Sequence, residues 1–376
     1  MSSFLSKAKE KYISFRGFHT KRKIVVIESD DWGSIRMPSA DTLSQLEKTE
    51  TVTDAFLRYD SLEKYEDIER IVSNLTEIKD INGNSPCITA NFAVANPDFD
   101  RIDIKSGIYN YEVFTETYNR YGENQDILGL IRDAADKKLF IPQLHTLEHL
   151  NVNRWMNALK NGKEDAISAF EHRMIGIQSS FSHNNIFGYR DALNYDNPDE
   201  LHQIENRLDD AFSVFKDKFG YDSSTFVAPC FVWSDSIEHM LKKHNVHLLQ
   251  SAEWQNDFSK VEGTAKTRRK IHYTGEFNQK TGMLYSVRNC SFEPSISGNV
   301  EKSADSCLLS IQKAFANHKP AIINSHRLNY ISRIDKKNAE SGCIGLCNVL
   351  RKTLELFSDV EFMSSVDLAK LMLEEK

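Results

Sequence analysis

The chain has 376 residues, of which 40% are apolar and 27% charged, with a net charge of −7. That length buries a large core, as one big α/β domain or two of ordinary size. The acidic balance excludes a general nucleic-acid binder, which presents a basic face, and no apolar run approaches the ~20 residues of a membrane span.

The opening stretch "MSSFLSKAKEKYISFRGFHTKRK" lacks the ~7–15-residue apolar core of a signal peptide, so a cytoplasmic location is expected. Residues 1–22 read as a short basic amphipathic helix with Phe4, Leu5, Ala8, Tyr12 and Ile13 on its apolar side. Such a helix docks on its own chain or makes peripheral contact with an anionic membrane surface.

Apolar, β-branched runs bounded by turn residues give the expected strands. They are "KIVVIES" (23–29), "CITANFAV" (87–94), "KLFIPQL" (138–144), "TFVAP" (225–229), "VHLLQSA" (246–252), "LYSVRNCSF" (284–292), "AIINSH" (321–326) and "VEFMS" (360–364). Helical stretches lie between most of them, such as "SLEKYEDIERIVSNLTEI" and "DELHQIENRLDDAFSVFKDKFG". "SDSIE" suggests a capping box, and Gly220 stands where a left-handed helix cap belongs. Strands alternating with helices imply parallel pairing and right-handed crossovers. The expected fold is therefore α/β, a distorted (β/α)7–8 barrel of mostly parallel strands in one domain over 1–376. Residues 152–200 read as an insertion over one rim.

The six cysteines show neither zinc-ribbon spacing nor a secreted disulfide framework, so reduced thiols are expected. Cys343 and Cys347 stand i, i+4, which suits the inner face of a helix.

In a parallel barrel, chemistry collects at the C-terminal ends of the strands. Asp30 and Asp31 end the first, His145 and His149 ("HTLEH") follow the third, Pro229 and Cys230 end the fourth, and His326 ends the seventh. Two imidazoles and one carboxylate make a metal site with open positions. The expectation is one divalent transition-metal ion, Zn²⁺ first, with Fe, Co, Ni or Mn as alternatives. The second aspartate is then available as a base. The bland readings stay open here: Asp-Asp-Trp-Gly as turn chemistry, the histidines as surface or core residues. "HTLEH" also fits the His-x-x-Glu-His pattern of inverted zincins, with Glu148 as base, but that motif belongs inside a helix.

The set "SDDWG", "HTLEH" and "SHR" resembles the polysaccharide deacetylase family, the nodulation-type sugar N-deacetylases on a distorted (β/α) barrel. The resemblance runs over roughly 23–330 and implies roles for individual residues: Asp30 as base, Asp31, His145 and His149 as metal ligands, His326 as acid. It departs at the family's Arg-x-Pro-aromatic motif, where "FVAPCFVW" keeps Pro229, has Cys230 for the aromatic, and lacks the arginine. The Cys230 N–H can still serve an oxyanion, and Arg190 or Arg288 stands as the substitute guanidinium. The resemblance implies a metal-dependent hydrolase that removes an acetyl or similar group from an N-acylated sugar or a surface-polysaccharide precursor. Tyr189, Tyr195 and Tyr330 are read as a sugar-facing rim. The alternatives are another amide substrate, or a weakened barrel that binds a glycan or partner.

Overall fold

The computed structural model describes residues 15–49, 52, 54–176, 187–257 and 268–375. Ten strands build the main sheet, the two-residue Phe277–Asn278 pairing antiparallel at one edge and nine others running parallel: β1 (Lys23–Trp32), β2 (Ile88–Ala93), β3 (Phe140–Thr146), β4 (Thr225–Val227), β5 (Leu248–Ser251), β6 (Met283–Val287), β7 (Cys290–Ser291), β8 (Ala321–His326) and β9 (Val360–Met363). These pair in parallel in the order β6-β5-β4-β3-β2-β1-β8-β7. The order closes on itself, because β6 and β7 are two parts of one segment separated by Arg288 and Asn289. Arg288 N–H still donates to Ser251 O at 2.9 Å, while Asn289 N–H already donates to Ile322 O at 3.1 Å. A distorted parallel barrel of seven strand positions results. The single strand expected over 284–292 is thus divided: the chain must change partners there to close the ring.

Val25 and Val26 pair with both β8 and β9. A strand has two edges, so β9 lies on the β2 side, filling the space below Ile27, where β2 pairing begins.

Side chains alternate across each strand. Outward residues such as Val25, Ile27, Ile88, Ala90 and Phe226 pack under the helices in the main core. The inward side changes character along the barrel. At the lower end Ile24, Val26, Leu248, Leu284 and Ile322 meet Leu368, Ala369 and Met372 from the helix Ser365–Glu374, which plugs the floor. Each such side chain buried contributes roughly 1.5–3 kcal/mol. Two residues further up, the interior turns polar with Glu28, Thr89, Thr225, Gln250 and Ser286, all buried. Ser365 links floor and polar layer, donating from its hydroxyl to Glu28 at 2.8 Å and from its N–H to Thr89 Oγ1 at 3.0 Å.

The helix expected over 1–22 lies outside the described residues as far as residue 14, and residues 16–22 are not helical. The stretch 152–200 contributes helices Val152–Lys160 and Glu164–Glu171, which pack around Trp155 with Leu150, Ile102 and Phe99; residues 177–186 of it lie outside the described residues. Gly220 caps the helix Leu201–Phe219 with φ +81°. The capping box at "SDSIE" does not form: Ser234 gives no side-chain cap. Glu238 instead turns inward, where Trp233, Thr281 and Tyr285 donate to it. Cys343 and Cys347 are both buried on the helix Lys336–Leu356, and no cysteine is paired among the described residues. No helix of the described residues is long and apolar enough to cross a membrane.

Candidate metal centre and its acid–base partners

Two β-bulges shape the site. On β1, Ser29 pairs with Ala90 and Trp32 with Phe92, so Asp30 and Asp31 together face the one residue Asn91. On β3, Leu144 pairs with Phe92 and Thr146 with Ala93, which leaves His145 as the extra residue. Bulges re-aim side chains next to active sites. Asp31 adopts φ +76°, a left-handed conformation that short polar residues tolerate better than most. The turn closes at Gly33, also at φ +76°, whose N–H donates to Glu63 Oε1 at 2.9 Å. A Cβ at Gly33 would lie 2.5 Å from the Ala93 carbonyl oxygen, so only glycine fits.

The bulges bring Asp31, His145 and His149 together, with one potential ligand atom from each within 4.8 Å of the others. Both histidine Nε2 atoms stand 3.5 Å from the same oxygen, Asp31 Oδ1. This is long for a hydrogen bond but close to the ~3.4 Å that separates ligand atoms ~2.1 Å from a shared ion in tetrahedral geometry. His145 Nδ1 lies 2.7 Å from the Val227 carbonyl and must donate to it, a tautomer of the neutral ring that presents the Nε2 lone pair to a metal. His149 is buried, and burial pulls its pKa down to about 3 against the opposing charge of Asp31, so the ring is neutral and fit to bind a metal. Its Nδ1 is buried without a partner among the described residues. The second oxygen of Asp31 accepts from Arg36 Nη2 at 3.0 Å. Arg36 also pairs with buried Asp60 at 3.1 Å, and Asp60 in turn accepts from the fully buried Arg327 at 2.6 Å.

Asp30 points into the barrel. Arg288 grips it at both oxygens, Nη1 to Oδ2 at 2.5 Å and Nη2 to Oδ1 at 2.7 Å, and Asn91 donates to Oδ1 at 2.8 Å. Burial alone would raise the Asp30 pKa; the charge and hydrogen bonds of Arg288 outweigh it and hold the carboxyl at about 2. Arg288 also donates through Nε to Glu28 at 2.7 Å. Of the two arginines named for this role, Arg288 is the one that reaches Asp30; Arg190 donates to the Phe187 carbonyl.

His326 lies across from Asp30 in the β1–β8 register. Its Nδ1 stands 2.6 Å from Glu293 Oε1. Burial pulls the imidazole pKa down, but Glu293, with help from Asp31 and Asp30, lifts it to about 9. Asn324 joins the two units: it accepts from Arg288 Nη1 at 2.7 Å and donates to Glu293 Oε1 at 2.9 Å. Glu293 and Arg36 were missed from the sequence. The buried Glu28 inside "KIVVIES" was the available sign that a cation had to enter the barrel.

Cys230 sits in the short turn Pro229–Phe231 with φ +57°. Burial pushes its thiol up to about 12, so the sulfur is no nucleophile, and its N–H has no acceptor among the described residues. Glu148 turns away into an ion pair with Arg207 and accepts from Tyr109 OH at 2.7 Å. His145 ends a strand rather than entering a helix, so the zincin arrangement is not formed. Tyr330 is fully buried and Tyr195 nearly so, with their hydroxyls bonded to Ser325 and Ser234. They fill the core instead of a rim, because each hydroxyl finds a partner there. Tyr189 alone of the three lines a cavity near the site.

No family model matches the chain, and no curated protein is similar to it in sequence. Among solved structures, it is similar to a probable polysaccharide deacetylase from Pseudomonas aeruginosa PAO1, at 8% identity and TM-score 0.48 over 94% of this chain and 92% of that one. Puue allantoinase matches at 9% identity and TM-score 0.48 over 94% and 93%. The 4-alpha-glucanotransferase from Thermococcus litoralis matches at 8% and 0.44 over 93% of this chain, which spans only 40% of that protein's length. Identities and scores at this level say nothing of activity; the barrel stands on its strand pairing and the site on its side-chain geometry.

Proposed function

We propose that the protein is a metal-dependent amidohydrolase that removes an acetyl or similar acyl group from an N-acylated sugar or surface-polysaccharide precursor. The observation that carries this reading is the convergence of Asp31, His145 and His149, from strand ends far apart in sequence, on one point beside Asp30 and His326. Asp31, His145 and His149 hold one divalent ion, Zn²⁺ by the two-nitrogen, one-oxygen ligand set. When bound, such an ion polarises an amide carbonyl and acidifies the attacking water.

Asp30 takes the proton from that water. Arg288 keeps it ionised and fixes its oxygens, so the carboxylate arrives charged and aimed. Arg288, between β6 and β7, takes the place of the guanidinium absent from "FVAPCFVW", which supports the enzymatic reading over a weakened binding module. The Cys230 N–H is offered to the developing oxyanion, a donor typically worth ~3 kcal/mol. His326, kept protonated by Glu293, gives its proton to the departing amine.

The aspartates separate the roles. Asp30→Asn should retain the metal and lose activity by ~10²–10⁴; Asp31→Asn should lose the metal itself, since a neutral amide is a poorer ligand. Metal content by elemental analysis and acetate release from N-acetylated sugars decide it. Equal metal loss in both variants, or full metal occupancy in Asp31→Asn, overturns the assignment.

A further inference from the structure

We propose that the substrate carries an anionic group, phosphate or carboxylate, close to its amide, and that Arg190 together with Arg36 binds that group in the cavity beside Asp31. This deepens the amidohydrolase reading and rests on it for the position of the amide.

The cavity holds roughly 30 Å³, room for one small group of a substrate and not for a whole sugar. Its walls include Arg36, Arg190, Phe56 and Tyr189. Two contacts join it to the chemistry. Arg36 lines the cavity and donates to Asp31 at 3.0 Å. Phe56 lines it as well, meeting the edge of His326 at 5.1 Å between ring centres and lying under the Arg36 guanidinium at 4.4 Å. The cavity therefore shares a wall residue with the ligand side of the site and another with its acid side.

Its charge is unbalanced. Arg190 donates through Nε to Phe187 O, and neither of its terminal nitrogens has a hydrogen bond or an ion pair among the described residues. Arg36 uses Nε and Nη2 on Asp60 and Asp31 and leaves Nη1 without a partner among the described residues. The one acid in the cavity wall is Asp54, whose Oδ1 caps the helix Ala55–Tyr59 by accepting from Phe56 N–H at 2.9 Å. Burial, and after it the like charge of Arg36, lowers the pKa of Arg190. An ion held at Asp31 would share that carboxylate's charge with Arg36. Planar, weakly hydrated guanidinium donors of this kind match phosphate and carboxylate oxygens. A neutral sugar would leave the Arg190 guanidinium without an anionic contact among the described residues.

The test separates the anion site from the hydrolysis. Glucose 1-phosphate, glucuronic acid and glucose, none of which has an amide, are titrated calorimetrically into the full-length protein. At least one anionic sugar should bind about tenfold or more tighter than glucose, with most of that margin lost in Arg190→Gln and part of it kept in Arg190→Lys; the tighter of the two acids identifies phosphate or carboxylate as the group recognised. In parallel, acetate release from N-acetylglucosamine 1-phosphate should exceed that from N-acetylglucosamine in kcat/KM, again through Arg190. If neither anionic sugar outbinds glucose, or if the margin survives Arg190→Gln in protein with the wild-type circular dichroism spectrum and Tm, the anion site is refuted. If calorimetry shows the Arg190-dependent margin and no sugar releases acetate, the anion site stands and the deacetylase reading falls.

Discussion

The pair His326–Glu293 allows the acid role to be tested by pH alone. His326 must be protonated to donate, and Glu293 at 2.6 Å is the principal group that lifts its pKa to about 9 against burial. Glu293→Gln keeps an acceptor oxygen of the same size but removes the charge, so the imidazole should fall to its ordinary ~6.5 or below. At pH 8 the protonated fraction then drops from about 0.9 to about 0.03, a loss of about 30-fold in kcat/KM, while near pH 6 most of the activity returns. The sign is fixed by the role: for a general acid the basic limb of the profile marks its pKa, and that limb moves to lower pH in the variant. A bound divalent cation lowers both limbs alike and leaves their separation as the quantity measured. The assay is kcat/KM for acetate release across about pH 5 to 10 in wild type and variant. A basic limb at the same pH in both proteins, or an activity loss equal at every pH, would refute the reasoning and leave Glu293 as a packing residue.

Two further outcomes concern stability. Arg288→Met leaves Glu28 and Asp30 as buried carboxylates without their cation and should cost ~3–5 kcal/mol of unfolding free energy. Because Asp30 is depressed to about 2 in the folded protein, its contribution is present above the unfolded value of ~3.9 and is lost as the pH falls through about 2. Denaturant melts of the two proteins should therefore converge over that acidic window; a constant gap down to the lowest pH would contradict the pairing. Glu148→Gln breaks the ion pair with Arg207 and should lower Tm without changing metal content; loss of the metal in that variant would mean that Glu148 belongs to the site.

Much of this was legible in the sequence because it sits at strand ends. "KIVVIESDD", "FIPQLH" and "AIINSH" each announce a buried strand by β-branched or apolar runs and then break into a polar residue, which fixes position along the barrel axis. The bulges that turn Asp31 and His145 toward each other leave no such mark, since an extra residue in a strand reads like any other. Glu293 was not legible because "SFEPS" is turn chemistry by composition and its partner His326 follows only after a whole helix. Arg36 reads as an ordinary loop cation, and only the folded turn sets it against Asp31. The division of 284–292 was hidden for a related reason: a chain that hydrogen-bonds first to one neighbour and then to another keeps a strand's composition throughout.

The pairing of β1 has a consequence for how the molecule is made. Val25 meets Ala321, and Lys23 meets Val360, so β1 leaves the ribosome long before two of its three neighbours. Contacts this distant in sequence form late and slowly. Until they do, "KIVVIES" offers a bare apolar edge of the kind that draws strands from other chains. The helix that plugs the floor comes from residues 365–374, later still, and until it docks the open end of the barrel shows Ile24, Val26 and Leu248 to water. Yield on expression should therefore depend more on chaperone supply and growth temperature than the finished barrel's stability suggests.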